Sequence, residues 1–277
     1  MSSPVELVAL VRAAHAPPTV AVTALGTVVA ASTGRGFAGC VLVAATLLAG
    51  QLSIGWSNDV IDAARDVAAG RLDKPIAAGE ISKSGVAVAA AVAVALCVPL
   101  SLANGWRAGL AHLVVVAGGW AYNLGLKRTA FSWLPYAVSF GALPAFLVLG
   151  LPGSPSPPPW VLLAGALLGV GAHFLNVLPD LADDLAAGIR GLPHRIGERA
   201  ARAAGAVLLA AAAAAVTVGP PGPVPGWAYA GLTAAVVLAA AAALLGRAPG
   251  SRAPFLLALL TAAVAVGLLV GRGSSLS

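Results

Sequence analysis

Apolar stretches long enough to cross a bilayer recur in this sequence from residue 18 to near its end, broken only by short polar interruptions. A crossing needs about 17 to 25 predominantly apolar residues. Nine such stretches are read, at 18–34, 37–56, 84–103, 108–126, 133–151, 160–178, 203–219, 227–246 and 255–271. Backbone amides left unpaired in lipid are so costly that these stretches are expected to be helices, which makes the chain an all-α polytopic membrane protein, a bundle of nine transmembrane helices. Composition agrees: 59% of the 277 residues are hydrophobic and 9% charged, against roughly half and a quarter in soluble chains. The pieces LPGSPSPPP and GPPGPVPG read as tight connections and not as domain linkers. A single domain, 1–277, is therefore expected, with two pseudo-repeated halves at roughly 18–126 and 133–246 and a final helix at 255–271. The opening segment MSSPVELVALVRAAHAPP lacks a basic region followed by an apolar core and a cleavage site, so no signal peptide is expected and the mature chain should start near Met1.

The net charge of +6 could suggest a nucleic-acid partner, but its distribution has a simpler cause. With nine crossings and the N-terminus inside, 13 of the 16 basic residues fall on the cytoplasmic side: Arg12, Arg65, Arg71, Lys74, Lys83, Lys127, Arg128, Arg190, Arg195, Arg199, Arg202, Arg247 and Arg252. Only Arg35, Arg107 and Arg272 fall outside. This is the asymmetry that orients polytopic proteins, and no nucleic acid is needed to explain it. Cys40 and Cys97 lie inside expected spans and read as buried structural residues, not as a disulfide framework.

Nine of the ten acidic residues fall in two expected cytoplasmic segments: Asp59, Asp62, Asp66, Asp73 and Glu80 in the first, Asp180, Asp183, Asp184 and Glu198 in the second. At an offset of 118 residues the segments share the frame N-x3-D-x3-D-x-A-A-G-x4-P-x3-G, through Asn58, Asp62, Asp66, Gly70, Pro75 and Gly79 and through Asn176, Asp180, Asp184, Gly188, Pro193 and Gly197. The match reads as an internal duplication. Steps of four residues place Asn, Asp and Asp on one helical face, with Asp59 and Asp183 close to the same stripes. Clustered carboxylates repel one another unless a cation lies between them, and their oxygens suit a hard ion such as Mg2+, which takes phosphate oxygens as further ligands. Arg71 and Lys74 after the first row, and Arg190 and Arg195 after the second, complete a candidate diphosphate pocket. Gly70 and Gly188 are expected to end their helices, with Pro75 and Pro193 keeping the following loops from extending them.

NDVIDAARD resembles the first aspartate-rich motif, NDxxDxxxD, of the UbiA superfamily of intramembrane prenyltransferases. DLADD, followed by LAAG and GLPHRIG, resembles the second, with Ala182 at a position often acidic in the family and Asp183 as compensation. YNLGLKR, at the cytoplasmic end of the fourth span, resembles the Tyr-x3-Lys element, although here the spacing is Tyr-x4-Lys. On a continuous helix the extra residue turns Tyr122 by about 100°. The resemblance covers nearly the whole chain and implies nine helices, with the motifs on the cytoplasmic side after the second and sixth.

It also implies a chemistry: Mg2+ between the aspartate rows grips an isoprenyl diphosphate, and departure of diphosphate leaves an allylic cation for an electron-rich acceptor. Asp62, Asp66, Asp180 and Asp184 would be the main metal-binding carboxylates, joined by Asn58, Asp59, Asn176 and Asp183. Arg71, Lys74, Tyr122, Lys127, Arg128, Arg190 and Arg195 would hold the diphosphate. Asp66, Arg71, Lys74 and Lys127 form the expected catalytic group. The apolar helices would keep water from the cation, and Trp120, Phe140, Phe146 and Phe174 read first as packing residues and second as its π-face partners. His173 reads first as a packing histidine and second as an acceptor contact, while His15, His112 and His194 lack metal-ligand spacing.

The expected partners are an isoprenyl diphosphate, a small acceptor, aromatic by first choice, and membrane lipid. The expected location is a bacterial cell membrane with the site facing the cytoplasm. A terpene cyclase and a polyprenyl-phosphate sugar transferase are the alternative enzymes. A transporter or scaffold is the non-enzymatic alternative, disfavoured because a transport pathway places its acids at mid-bilayer.

Overall fold

The computed structural model describes residues 4–245 and 250–272. Arg247, Gly246 at the end of the eighth expected span, and Met1 lie outside the described residues. The helices are α1 (Pro4–Ala13), α2 (Ala16–Ser32), α3 (Phe37–Ala68), α4 (Lys83–Ala103), α5 (Trp106–Leu124), α6 (Leu134–Leu149), α7 (Pro159–Asn176), α8 (Leu181–Ala186), α9 (Leu192–Ile196), α10 (Glu198–Val218), α11 (Gly226–Leu244) and α12 (Ala253–Gly271), with no strand among the described residues. Proline opens α2, α6, α7 and α12, where its missing N–H costs nothing. The two Pro/Gly-rich connections fall between α6 and α7 and between α10 and α11, as expected.

Six of these elements are long and apolar enough to cross a membrane, and α1 with α2, bent by 71° at their junction, make a seventh candidate. The shortfall from nine has local causes. α6 has only 16 residues, and α5 carries Arg107, His112 and Asn123 among its apolar positions.

The long helices pack in chain order around a ring, α2 on α3, α3 on α4 and so on through α11 on α12, and α12 returns to α2. Small residues bring the backbones together. A Cβ at Gly169 would lie 2.5 Å from the Phe140 side chain, and one at Gly55 would lie 2.5 Å from the Ala14 carbonyl oxygen. The end of the ring where α2 finishes and α3 begins is closed by an apolar cluster including Val43, Leu47, Phe146, Val216 and Leu268. Phe174, Leu175 and Leu209 centre a second cluster under α10. Phe146 and Phe174 are packing residues of these clusters. Cys40 and Cys97 are free thiols, Cys97 buried. The opposite end of the ring collects the charged motifs.

Candidate active site

The first row stands on one uninterrupted helix. α3 runs 32 residues, well past its apolar stretch, and its last turns carry Asn58, Asp59, Asp62, Arg65 and Asp66. All three aspartates are buried, so each needs a partner to offset desolvation. Lys127, in the 3-10 turn Leu126–Arg128 after α5, donates to both oxygens of Asp62 at 2.6 Å. Arg65 Nη2 lies 3.0 Å from the same carboxylate and 3.4 Å from Asp66. Asp59 Oδ1 accepts from Lys74 Nζ at 2.8 Å and lies 2.9 Å from His15 Nε2, which is itself 3.0 Å from Lys74 Nζ. Asp59 Oδ2 is buried without a hydrogen-bond partner. Asn58 turns aside to donate to Asn123 Oδ1 at 3.1 Å. Burial pulls the Lys127 ammonium below its ordinary value, and Asp62 opposes that shift.

The second row does not stand on the one uninterrupted α-helix that its four-residue steps suggested. Pro179 has no N–H for the helix and its ring crowds the carbonyl one turn back. α7 therefore stops at Asn176, a 3-10 turn spans Leu178–Asp180, and α8 resumes for six residues. This row is open: the Asp180 side chain is 47% exposed, whereas that of Asp62 is 3% exposed. Asp183 and Asn176 are exposed as well. Arg71 links the loop after the first row to the second row. Its Nε and Nη2 donate to Asp73 at 2.9 and 3.0 Å while Nη1 lies 3.2 Å from Asp180. The bidentate contact raises Arg71 and holds the Asp73 carboxyl down at about 2. Asp184 lies 3.1 Å from His194 Nε2.

Beyond the rows the two segments end their helices in the same way. Gly70 and Gly188 have φ of 65° and 76°, a conformation that suits glycine. The amides at positions 71 and 189 bond back to the carbonyls of Asp66 and Asp184. Pro75 stands in the loop, but Pro193 sits in the first turn of α9 and helps start that helix instead of preventing one.

Tyr122 also departs from its expected placement. α5 ends at Leu124 and Lys127 lies in a separate turn, so the extra residue is taken up after the helix end and no helical rotation follows. The Tyr122 ring lies 5.2 Å from Tyr136 and 5.5 Å from His173, while Tyr136 stacks on His173 at 4.4 Å and on Phe140 at 6.2 Å. His173 is buried, 3.1 Å from Ser132 Oγ, with its Nδ1 unpartnered. Trp120 donates to Ser53 Oγ at 3.3 Å and packs in the α3–α5 region.

Arg128, Arg190 and Arg195 are exposed, and Arg195 Nε donates to the Arg190 carbonyl. The sequence reading missed Arg65, Asn123, Tyr136 and the roles of His15 and His194. The useful signal was position: His15 precedes the first long helix and His194 stands inside the second repeat frame, whereas metal-ligand spacing said nothing.

Family-level comparison bears on this geometry. The sequence pattern of the UbiA prenyltransferase family matches residues 19–262, most of the chain and both rows. The chain belongs to the UbiA prenyltransferase family. Solved structures of similar fold include a UbiA homologue from Archaeoglobus fulgidus bound to GPP and Mg2+, at 16% identity and TM-score 0.70 over 97% of this chain and 99% of that one. The same homologue bound to DMAPP and Mg2+ gives 16% identity and TM-score 0.69 over 96% and 98%. A digeranylgeranylglyceryl phosphate synthase matches at 14% identity and TM-score 0.63 over 98% of both chains. No curated protein matches the sequence.

Whether this UbiA-family site suits a divalent ion can be judged from its oxygen donors. Among the described residues no three His, Cys, Asp or Glu side chains gather around one point. Mg2+ bound with phosphates ordinarily takes only one or two carboxylates. Among the described residues Asp59 offers a buried oxygen without a partner and Asp66 has only the 3.4 Å Arg65 contact. With Asp180 and Asp184 across from them, hard oxygen donors stand on both sides, so the donor set fits.

Proposed function

We propose that this UbiA-family prenyltransferase is a Mg2+-dependent intramembrane enzyme that ionises an isoprenyl diphosphate and transfers the prenyl group to a small acceptor, with an aromatic acceptor as the first candidate. The observation that carries the reading is the convergence, at one end of an apolar ring, of a buried aspartate row, an open aspartate row and the cations Lys127, Arg71 and Lys74. Asp59 and Asp66 from α3 and Asp180 and Asp184 opposite would hold the metal, with Asp62, Asn58, Asn176 and Asp183 around them. When bound, the ion supplies positive charge to the diphosphate oxygens.

The chain's own groups account for the rest. Lys127 faces the position where leaving-group charge grows, and a fixed cation in a dry site stabilises that charge more than water would, while Arg71 on the open side binds the diphosphate equally before and during ionisation. Asp62 holds Lys127 in place, and His15 with Asp59 holds Lys74. Arg128, Arg190 and Arg195 on the exposed rim would attract the diphosphate from solution. Tyr122, Tyr136 and Phe140 present π faces beside the site for the allylic cation. The helices around them exclude the water that would quench it.

We read the whole chain as one domain built from a duplicated half plus a final helix, crossing the membrane nine times with its N-terminus and site in the cytoplasm of a bacterial cell. The matching helix ends at Gly70 and Gly188 support the duplication. Reporter fusions test the topology, and a cytoplasmic C-terminus would refute it.

The function is tested by incubating purified protein with labelled C10 to C50 isoprenyl diphosphates, with and without Mg2+ and with and without membrane extract as the acceptor source. Diphosphate release that needs both Mg2+ and extract is the expected result. A product formed without extract would assign cyclisation instead, and no consumption of any diphosphate would refute the enzyme reading.

A further inference from the structure

The end of the ring opposite the aspartates is basic and carries no Asp or Glu among the described residues. All ten Asp and Glu residues of the sequence lie on α1, on the last turns of α3 and the loop after it, or between Asp180 and Glu198, on elements of the charged end. The far end nevertheless carries Arg35, between α2 and α3, and Arg107, in the first turn of α5. Arg35 has only neutral acceptors: Nη1 donates to Asn104 Oδ1 at 3.2 Å, Nη2 donates to the Leu147 carbonyl at 3.1 Å, and Nε is buried without a partner. Burial lowers its affinity for the proton, and no carboxylate restores it. Gly150 admits this guanidinium, since a Cβ there would overlap Arg35 Nη2. Arg107 Nη1 likewise finds only the Ser154 carbonyl, at 3.0 Å, and the Ser154 hydroxyl at 3.5 Å.

Between these groups lies a cavity of about 340 Å³, lined by Asn104, Trp106, Arg107, Gly150 and Ser154, with Arg35 behind Asn104 and Gly150. The rim is open, with Trp106 69% exposed, as suits an aromatic at a membrane interface. A second cavity of about 240 Å³, lined almost wholly by apolar side chains including Val94, Val98, Leu113, Val116 and Trp120, runs between α4 and α5, the same pair whose connecting turn forms the first. Val98 stands six residues before Asn104, about 9 Å along a helix. A cavity with one guanidinium in its lining and a second behind it, above an apolar furrow, suits an amphipathic anion.

We propose that this end of the bundle binds a phosphate-bearing lipid, its phosphate held by Arg107 in the cavity with the charge of Arg35 behind it, and one acyl chain laid in the α4–α5 furrow. Guanidinium forks match phosphate oxygens, and the missing acids leave these cations for an external anion. The site is independent of the catalytic end and takes no part in the reaction proposed for it. Free phosphate shares the headgroup chemistry but has no use for the furrow.

Native mass spectrometry of the full chain in detergent, titrated with phosphatidylglycerol, tests the site. Wild-type protein should retain one lipid that Arg107→Gln binds at least about tenfold more weakly, a change of about 1.4 kcal/mol. Gly150→Ala, which displaces Arg35 without removing a charge, should weaken it in the same direction. Val98→Trp, which fills the furrow, should lose the lipid. Inorganic phosphate is then added to wild type and Val98→Trp, with the thermal midpoint as readout. A shift in both, absent from Arg107→Gln, supports the phosphate contact, and loss of lipid from Val98→Trp assigns the lipid as the ligand that uses the furrow. Equal lipid retention by wild type, Arg107→Gln and Gly150→Ala would overturn the site. Lipid retention unchanged in Val98→Trp would overturn the furrow assignment.

Discussion

The two aspartate rows share a sequence frame and differ in almost every physical respect. The first continues an unbroken helix, is buried, and has its charges answered by Lys127, Arg65, Lys74 and His15. The second is interrupted at Pro179 and more open, and among the described residues its aspartates reach partners through Arg71 and His194. A buried charge must be paired to exist, whereas a solvated one need not be. The first row is thus part of what holds this end of the protein together, and the second is available to a ligand without unfolding anything.

The largest expected effect separates stability from activity. Asp62→Ala should lose at least about a thousandfold in turnover and also about 3–5 kcal/mol of stability, because Lys127 is left buried without its carboxylate. A sequence-only view, in which Asp62 is simply a metal ligand, has the fold intact; the burial of the pair changes that. Asp180→Ala should also lose turnover but melt within about 1 kcal/mol of wild type, as exposed pairs contribute little. Thermal unfolding of both variants in one detergent decides the matter. Equal melting temperatures would break the comparison.

His15 offers a smaller test on the buried side. His15→Ala removes a partner of Asp59 and Lys74 and should weaken Mg2+-dependent binding of a thio-diphosphate analogue about tenfold, the scale of one charge-assisted hydrogen bond. His15→Gln, which keeps a polar group there, should recover much of it. Failure of the glutamine variant to recover any binding would mean that His15 serves only to pack the α1–α2 turn. On the open side, Arg71→Gln should raise KM for the diphosphate about tenfold with kcat changed about twofold at most, since it removes the bridge but no buried pair. A collapse of kcat would place Arg71 deeper in the chemistry than its exposure indicates.

The smallest effect concerns pH. Asp73 is held at about 2 by Arg71, below the 3.8 of the free group. A depressed carboxylate contributes its stability above the unfolded value and loses it as pH falls through the folded one. Protease resistance of the Arg71–Lys74 loop should therefore hold from neutral pH down to about 4 and fall between there and about 2, and Asp73→Asn should abolish that step. A wild-type transition near neutral pH would point to another group.

Much of the architecture was legible because lipid leaves few options. Apolar runs of crossing length located most helix ends within a few residues, although α3 continues well past its expected end, and the four-residue steps found both rows. What was less legible depended on chain partners distant in sequence. Nothing local to Asp62 announces Lys127, and the pairing of His15 with Asp59 crosses 44 positions. Pro179 was visible, but the regular frame around it invited a continuous α-helix where a 3-10 turn intervenes. Tyr122 shows the converse. Its spacing from Lys127 suggested a rotation, and the end of α5 at Leu124 removes the helix on which the rotation depended.

The Asp62–Lys127 pair also has a consequence for how the chain is made. The two residues are 65 positions apart, so α3 leaves the ribosome with its carboxylate row well before the lysine that neutralises Asp62 exists. Asp59 has His15 ahead of it and Lys74 only 15 positions behind, so that part of the row can be answered early. Asp62 must wait at the water side until α4 and α5 have followed. Completion of the fifth helix is the moment at which this end of the membrane domain can close.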